Sequence, residues 1–82
     1  MSYALRYDKT IEAAWDSLPP PVSEALGTAL AEVCADPLGS TLVYGEDDGI
    51  MRTLVVNEIL FAVLYLGHQT RTVHVYQIDY LG

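Results

Sequence analysis

A chain of 82 residues that is 51% hydrophobic and only 18% charged has the composition of one packed domain over residues 1–82, and excludes both a disordered segment and a two-domain protein. Its eleven acidic residues outweigh Arg6, Lys9, Arg52 and Arg71 to give a formal net charge of −7. Four scattered cations cannot neutralise a phosphate backbone, so nucleic-acid binding is disfavoured and a basic partner suits the chain better. The longest apolar run, Ile59 to Gly67, is about half of the roughly 20 residues that cross a bilayer, and "MSYALRYDKT" lacks the apolar stretch of a leader; the expectation is a soluble, cytoplasmic protein without a membrane anchor.

In "YALRY" (3–7), Tyr3, Leu5 and Tyr7 alternate with Ala4 and Arg6, the period of a half-buried first strand. Asp8 and Thr10 offer N-cap chemistry for a short helix over Ile11 to Ser17, with Ile11, Ala14, Trp15 and Leu18 at helical spacing. "LPPP" (18–21) stops that helix, and Pro20 or Pro21 opens a longer one to about Ala35, because a first-turn proline forfeits no hydrogen bond. Its apolar stripe is Val22, Leu26, Ala29, Leu30 and Val33, and Pro37 and Gly39 in "ADPLGS" end it. Cys34, the single cysteine, forms no internal disulfide and reads as a small hydrophobe on this helix.

Strands follow. "TLVY" (41–44), the turn "GEDDG" (45–49) and "GIMRTLVV" (49–56) predict a hairpin, with "NE" (57–58) as the next tight turn. "EILFAVLYL" (58–66) is apolar on both faces, which places it in the middle of a sheet covered on both sides, or covered on one side by helices and on the other by a partner. "GHQT" (67–70) and a last strand "RTVHVYQIDYL" complete a β-α-α-β-β-β-β order.

"GEDDG" lacks the ligand spread and closing Glu of a calcium-binding EF-hand and reads as an acidic hairpin turn. His68 reads as a solvated turn residue. His74 is assigned to one strand face with Thr72, Tyr76, Ile78 and Tyr80, a His/Tyr surface suited to proton chemistry, although a strand histidine is more often packed or hydrogen-bonded. No Ser/His/Asp order, glycine-rich phosphate loop or metal-ligand cluster is present, so neither cofactor nor metal is expected.

A strand, a short helix closed by "SLPP", a long helix closed by "ADPLG" and then a meander of strands resembles the RelE/ParE toxins of bacterial type II toxin–antitoxin operons. "MRTLVVNEILFAVLY" is similar to the family's central hairpin, with Phe61 and Tyr65 in the places of its tyrosines. The resemblance covers almost the whole chain and implies an α+β fold, with two N-terminal helices packed on a mostly antiparallel sheet. It also implies a toxin component whose groove accepts an amphipathic helix from an antitoxin.

Members that cut messenger RNA on the ribosome hold phosphates with Arg and Lys and move protons with Tyr, His or Glu. By that resemblance Arg52, His74 and Tyr80 are the catalytic candidates, and Arg52 and Arg71 the RNA-binding ones. Ala62 stands where the family's central-strand Arg is expected, and the short helix carries Glu12, Ala13, Asp16 and Ser17 in place of cations. A donor aimed at developing charge contributes roughly 3–4 kcal/mol, so its loss removes most ribonuclease activity. The expected function is therefore protein binding, with an antitoxin as partner. A homodimeric structural or adaptor domain is the alternative; an active ribosome-dependent mRNA interferase or a gyrase inhibitor comes third, ribosome and mRNA being disfavoured by the charge.

Overall fold

The computed structural model describes residues 2–82. Strand β1 (Ala4–Arg6) leads to Asp8, which caps helix α1 (Lys9–Asp16): its carboxylate accepts from the Ile11 N–H at 2.9 Å, pairing a donor that a helix start leaves free. Helix α2 (Pro20–Ala35) opens with prolines in its first turn, where no N–H is needed. The Trp15 indole N–H donates to the Ser23 carbonyl at 3.2 Å and ties the two helices together, while Tyr7 lies 5.5 Å from the Trp15 ring. Leu26, Leu30 and Val33 of α2 are fully buried, so the stripe read from spacing is the face that packs.

Strands β2 (Leu42–Val43), β3 (Met51–Val56), β4 (Leu60–Gly67) and β5 (Thr72–Tyr80) form an antiparallel meander, and β1 joins the far side of β5 in parallel. The sheet order is β1-β5-β4-β3-β2, with both helices on one face, the α+β architecture expected. Strand β4 is central. Its even-numbered residues Leu60, Ala62, Leu64 and Leu66 are at most 1% exposed beneath the helices. Phe61, Val63 and Tyr65 point to the opposite face, which no element among the described residues covers.

Two departures from regularity matter for function. Strand β2 is shorter than "TLVY" suggests: the Thr41 hydroxyl is held by the Pro37 carbonyl at 2.6 Å, and Tyr44 turns into a bridge with Glu46. Only Thr53 and Arg52 of β3 therefore have β2 partners. The second departure is a bulge in β5. Leu64 pairs with Val75 and Val63 with Gln77, leaving Tyr76 as the extra residue.

Because side chains alternate, that one residue inverts the face of everything after it. Thr72 and His74 face the uncovered side, whereas Ile78 and Tyr80 lie opposite Ala62 and Leu60 on the helix side. His74 and Tyr80 therefore lie on opposite faces, contrary to the expectation from strict alternation, because the strand is bulged between them.

Candidate functional site

The uncovered sheet face carries a cluster of aromatic rings. Tyr65 of β4 and His74 of β5 are directly opposite, with ring centroids 5.8 Å apart edge to face, and Tyr76 stacks on Tyr65 at 5.9 Å with planes 15° apart. Both geometries suit the ring quadrupoles. The bulge delivers Tyr76 to this stack. On the other side of His74, Arg6 of β1 is in register with it, and the two border a hollow of about 250 Å³ with Tyr76. His74 Nε2 is hydrogen-bonded to the Thr72 hydroxyl at 3.0 Å, and Thr72 in turn to Thr70 at 2.9 Å.

The candidate residues read from the sequence do not converge. Arg52 is on the helix side of β3, 8% exposed, and its guanidinium points away from the aromatic cluster. Nε donates to the Thr41 hydroxyl at 2.9 Å, Nη2 to the Thr41 carbonyl at 2.9 Å, and Nη1 lies 3.5 Å from the Asp47 carboxylate. It clasps the loop after α2 to the sheet. Tyr80 is on the helix side near the C-terminus, and Arg71 is exposed in the β4–β5 turn with φ 56°. His74 alone of the four stands on the uncovered face.

Ala62 is 0% exposed, opposite Leu54 and Ile78 in the core. A guanidinium at that position would be buried beneath the helices, so its absence follows from packing. On the uncovered face, the β3 and β4 positions are Met51, Thr53, Val55, Phe61, Val63 and Tyr65, none of them charged.

His68, read as solvated, is bound at both ring nitrogens: Nδ1 to the Tyr3 hydroxyl at 2.7 Å and Nε2 to the Gly49 carbonyl at 2.6 Å. It fastens the β4–β5 turn to the N-terminal residues and to the "GEDDG" loop, contacts no local sequence signal announces. In that loop the Asp48 carboxylate accepts from the N–H groups of Ile50 and Met51, at 2.8 and 3.1 Å, which hold its carboxyl below the ordinary value. The loop is thus a capped entry to β3. Burial pushes the Cys34 thiol up, in keeping with a small hydrophobe and against a reactive thiolate.

No family model matches the sequence, and no curated protein matches it. Solved structures do. The isolated RelE toxin of E. coli superposes with a TM-score of 0.81 at 20% identity, over 99% of this chain and 86% of that one. A chain of the Mycobacterium tuberculosis toxin–antitoxin complex RelBE2 gives 0.80 at 16% identity, over 98% and 99%. A chain of the archaeal RelE–RelB complex from Pyrococcus horikoshii OT3 gives 0.77 at 13% identity, over 100% and 98%.

The chain has the RelE toxin fold. In this RelE-like molecule, the strand that is apolar on both faces is the central one, and no element among the described residues covers its second face. The sequence already held part of the site: a turn at 67–70 puts Tyr65 on the face of Thr72 and His74, but the direct Tyr65–His74 pairing comes from a turn over 68–71, and the Tyr65–Tyr76 stack depends on a bulge that the sequence does not announce.

Proposed function

We propose that this chain is the toxin component of a RelE-like type II toxin–antitoxin pair, and that it acts through protein binding, with ribonuclease activity weak or lost. The observation that carries this reading is the chemistry of the uncovered sheet face. It is built from Tyr65, Tyr76, Phe61, Val63 and Val55, with Arg6 as its strand cation, while Arg52 is engaged on the other side. An aromatic and aliphatic face of this kind resembles the core of a protein interface, where charged residues are depleted and aromatics enriched. Phosphate binding needs the reverse. Two of the matching structures are toxin–antitoxin complexes, which supports an antitoxin as the partner.

The test is induced expression of the untagged chain in a bacterial host, alone and together with the product of a small neighbouring reading frame. Growth and messenger 5′ ends on translating ribosomes are followed together. The expected result is growth inhibition without new ends inside codons, relieved by the co-expressed partner. New ends within codons would replace this reading with a cleaving toxin built around His74, Tyr65 and Arg6. Undisturbed growth at high expression would overturn the toxin reading.

A further inference from the structure

Strand β3 is paired along its whole length with β4 but along only part of its length with β2. Leu66 donates to the Ile50 carbonyl at 2.8 Å, and in an antiparallel pair the hydrogen-bonded residues recur at every second position. Arg52, Leu54 and Val56 therefore direct their main-chain groups to β4, and Thr53 and Val55 direct theirs outward. Thr53 meets Leu42 of β2. Val55 has no strand residue opposite, and no described residue bonds its outward N–H or carbonyl.

This bare edge is one wall of a groove of about 540 Å³, and α2 is the other. Val55 and Asn57 line the strand side, Glu24 and Glu32 the helix side, with Ala25 and Ala29 between them. Both glutamates are exposed, and neither forms an ion pair among the described residues. The small side chains leave room beside the edge, the edge offers a donor and an acceptor, and the far wall is negative.

We propose that this groove takes an extended, basic segment of a partner protein, which adds to the sheet as a strand beside Val55. The proposal rests on the protein-binding reading above and adds to the uncovered face a second contact surface with its own chemistry. A helix laid in the groove has its own main chain internally bonded and would leave the Val55 groups unpaired; a strand pairs them. Glu24 and Glu32 are eight residues apart on α2, about 12 Å along its axis at 1.5 Å per residue. A strand rises about 3.4 Å per residue, so cations at positions i and i+4 of the segment, which share a face, lie about 14 Å apart, close to that separation. A second copy of this chain offers no such pattern, since no two of its cations, Arg6, Lys9, Arg52 and Arg71, are four residues apart.

Selection of short displayed peptides on the immobilised full-length chain tests the proposal, followed by affinity measurement of a resynthesised binder. The expected binders carry Lys or Arg four residues apart in a β-branched, glycine-poor context. Their affinity should fall about tenfold or more in the double variant Glu24→Lys, Glu32→Lys, and should be unchanged by Gln69→Ala in the exposed β4–β5 turn. Both glutamates are solvent-exposed, and a circular-dichroism melt verifies that the double variant folds. Amide exchange adds a second readout: the Val55 N–H should become protected when the peptide binds.

Binders without basic residues, binding indifferent to the charge reversal, or a Val55 amide that stays unprotected would each overturn the groove assignment. None of these outcomes touches the toxin reading, which is decided by growth and messenger ends. A groove that binds as expected in a chain without effect on growth would keep the inference and overturn that reading instead.

Discussion

The Arg52 guanidinium uses Thr41 twice, through its hydroxyl and its carbonyl, and the Thr41 hydroxyl in turn donates to the Pro37 carbonyl. Replacing Thr41 with Val preserves shape but strands a buried, charged donor. The expected loss is about 1–3 kcal/mol, read as a lower urea midpoint, whereas Arg71→Ala in the exposed turn should stay within about 0.5 kcal/mol. Were Arg52 a free surface cation, Thr41→Val would leave the midpoint unchanged.

Asp48 makes a second prediction at the same scale. The Ile50 and then the Met51 N–H hold its carboxyl below its ordinary value of 3.8. A folded pKa below the unfolded one stabilises the protein fully above the unfolded value, and that contribution is lost as pH falls through the folded pKa. Asp48→Asn retains an acceptor oxygen but does not titrate, so melting temperature against pH should fall less steeply on the acid side of about pH 4 than in the parent. Identical acid limbs would show that the turn does not depend on the charge.

Strand parity alone put Arg52 on the face of Leu54 and Val56, and Ala62 on the face of Leu60, Leu64 and Leu66, so their orientation was legible in the sequence. The acceptors of Arg52 were not. Thr41 lies eleven residues away across a hairpin whose register no local pattern sets.

Element boundaries follow from local chemistry that the sequence displays: Asp8 at the start of α1, the prolines at the start of α2, the turn at Asn57-Glu58. In that turn the Val56 carbonyl accepts from Ile59 at 3.2 Å, and Asn57 and Glu58 have φ of 51° and 60°, the signs of a type I′ hairpin turn. Asn suits the first of these positions, but a side chain as long as Glu is strained at the second. Glu58→Gly should raise stability by up to about 1 kcal/mol in denaturant unfolding, because relief of left-handed strain outweighs the extra freedom of glycine in the unfolded chain. A lower midpoint would mean that Glu58 makes a compensating interaction. The bulge at Tyr76 was hidden because it depends on what the neighbouring strand does and no glycine or proline marks it, whereas β2 ends early where Tyr44 folds onto Glu46 around Gly45, whose φ is 70°.

At the scale of the whole molecule, charge decides between partners. With a net charge of −7 and no cation on the β3 and β4 positions of the uncovered face, the chain should show no measurable affinity for single-stranded RNA in fluorescence anisotropy at physiological salt. Binding that weakens steeply with added salt would reveal a phosphate-contacting surface and reverse that expectation. An exposed sheet edge also carries a hazard for the free protein, because identical edges of neighbouring copies can zip together into aggregates. The two glutamates that border the bare stretch of β3 act against this, since two such edges meeting would bring four uncompensated carboxylates into one cleft. The acidic wall is then a gatekeeper for the solitary chain: it keeps copies apart at high concentration, and it yields only to a strand that brings its own positive charge.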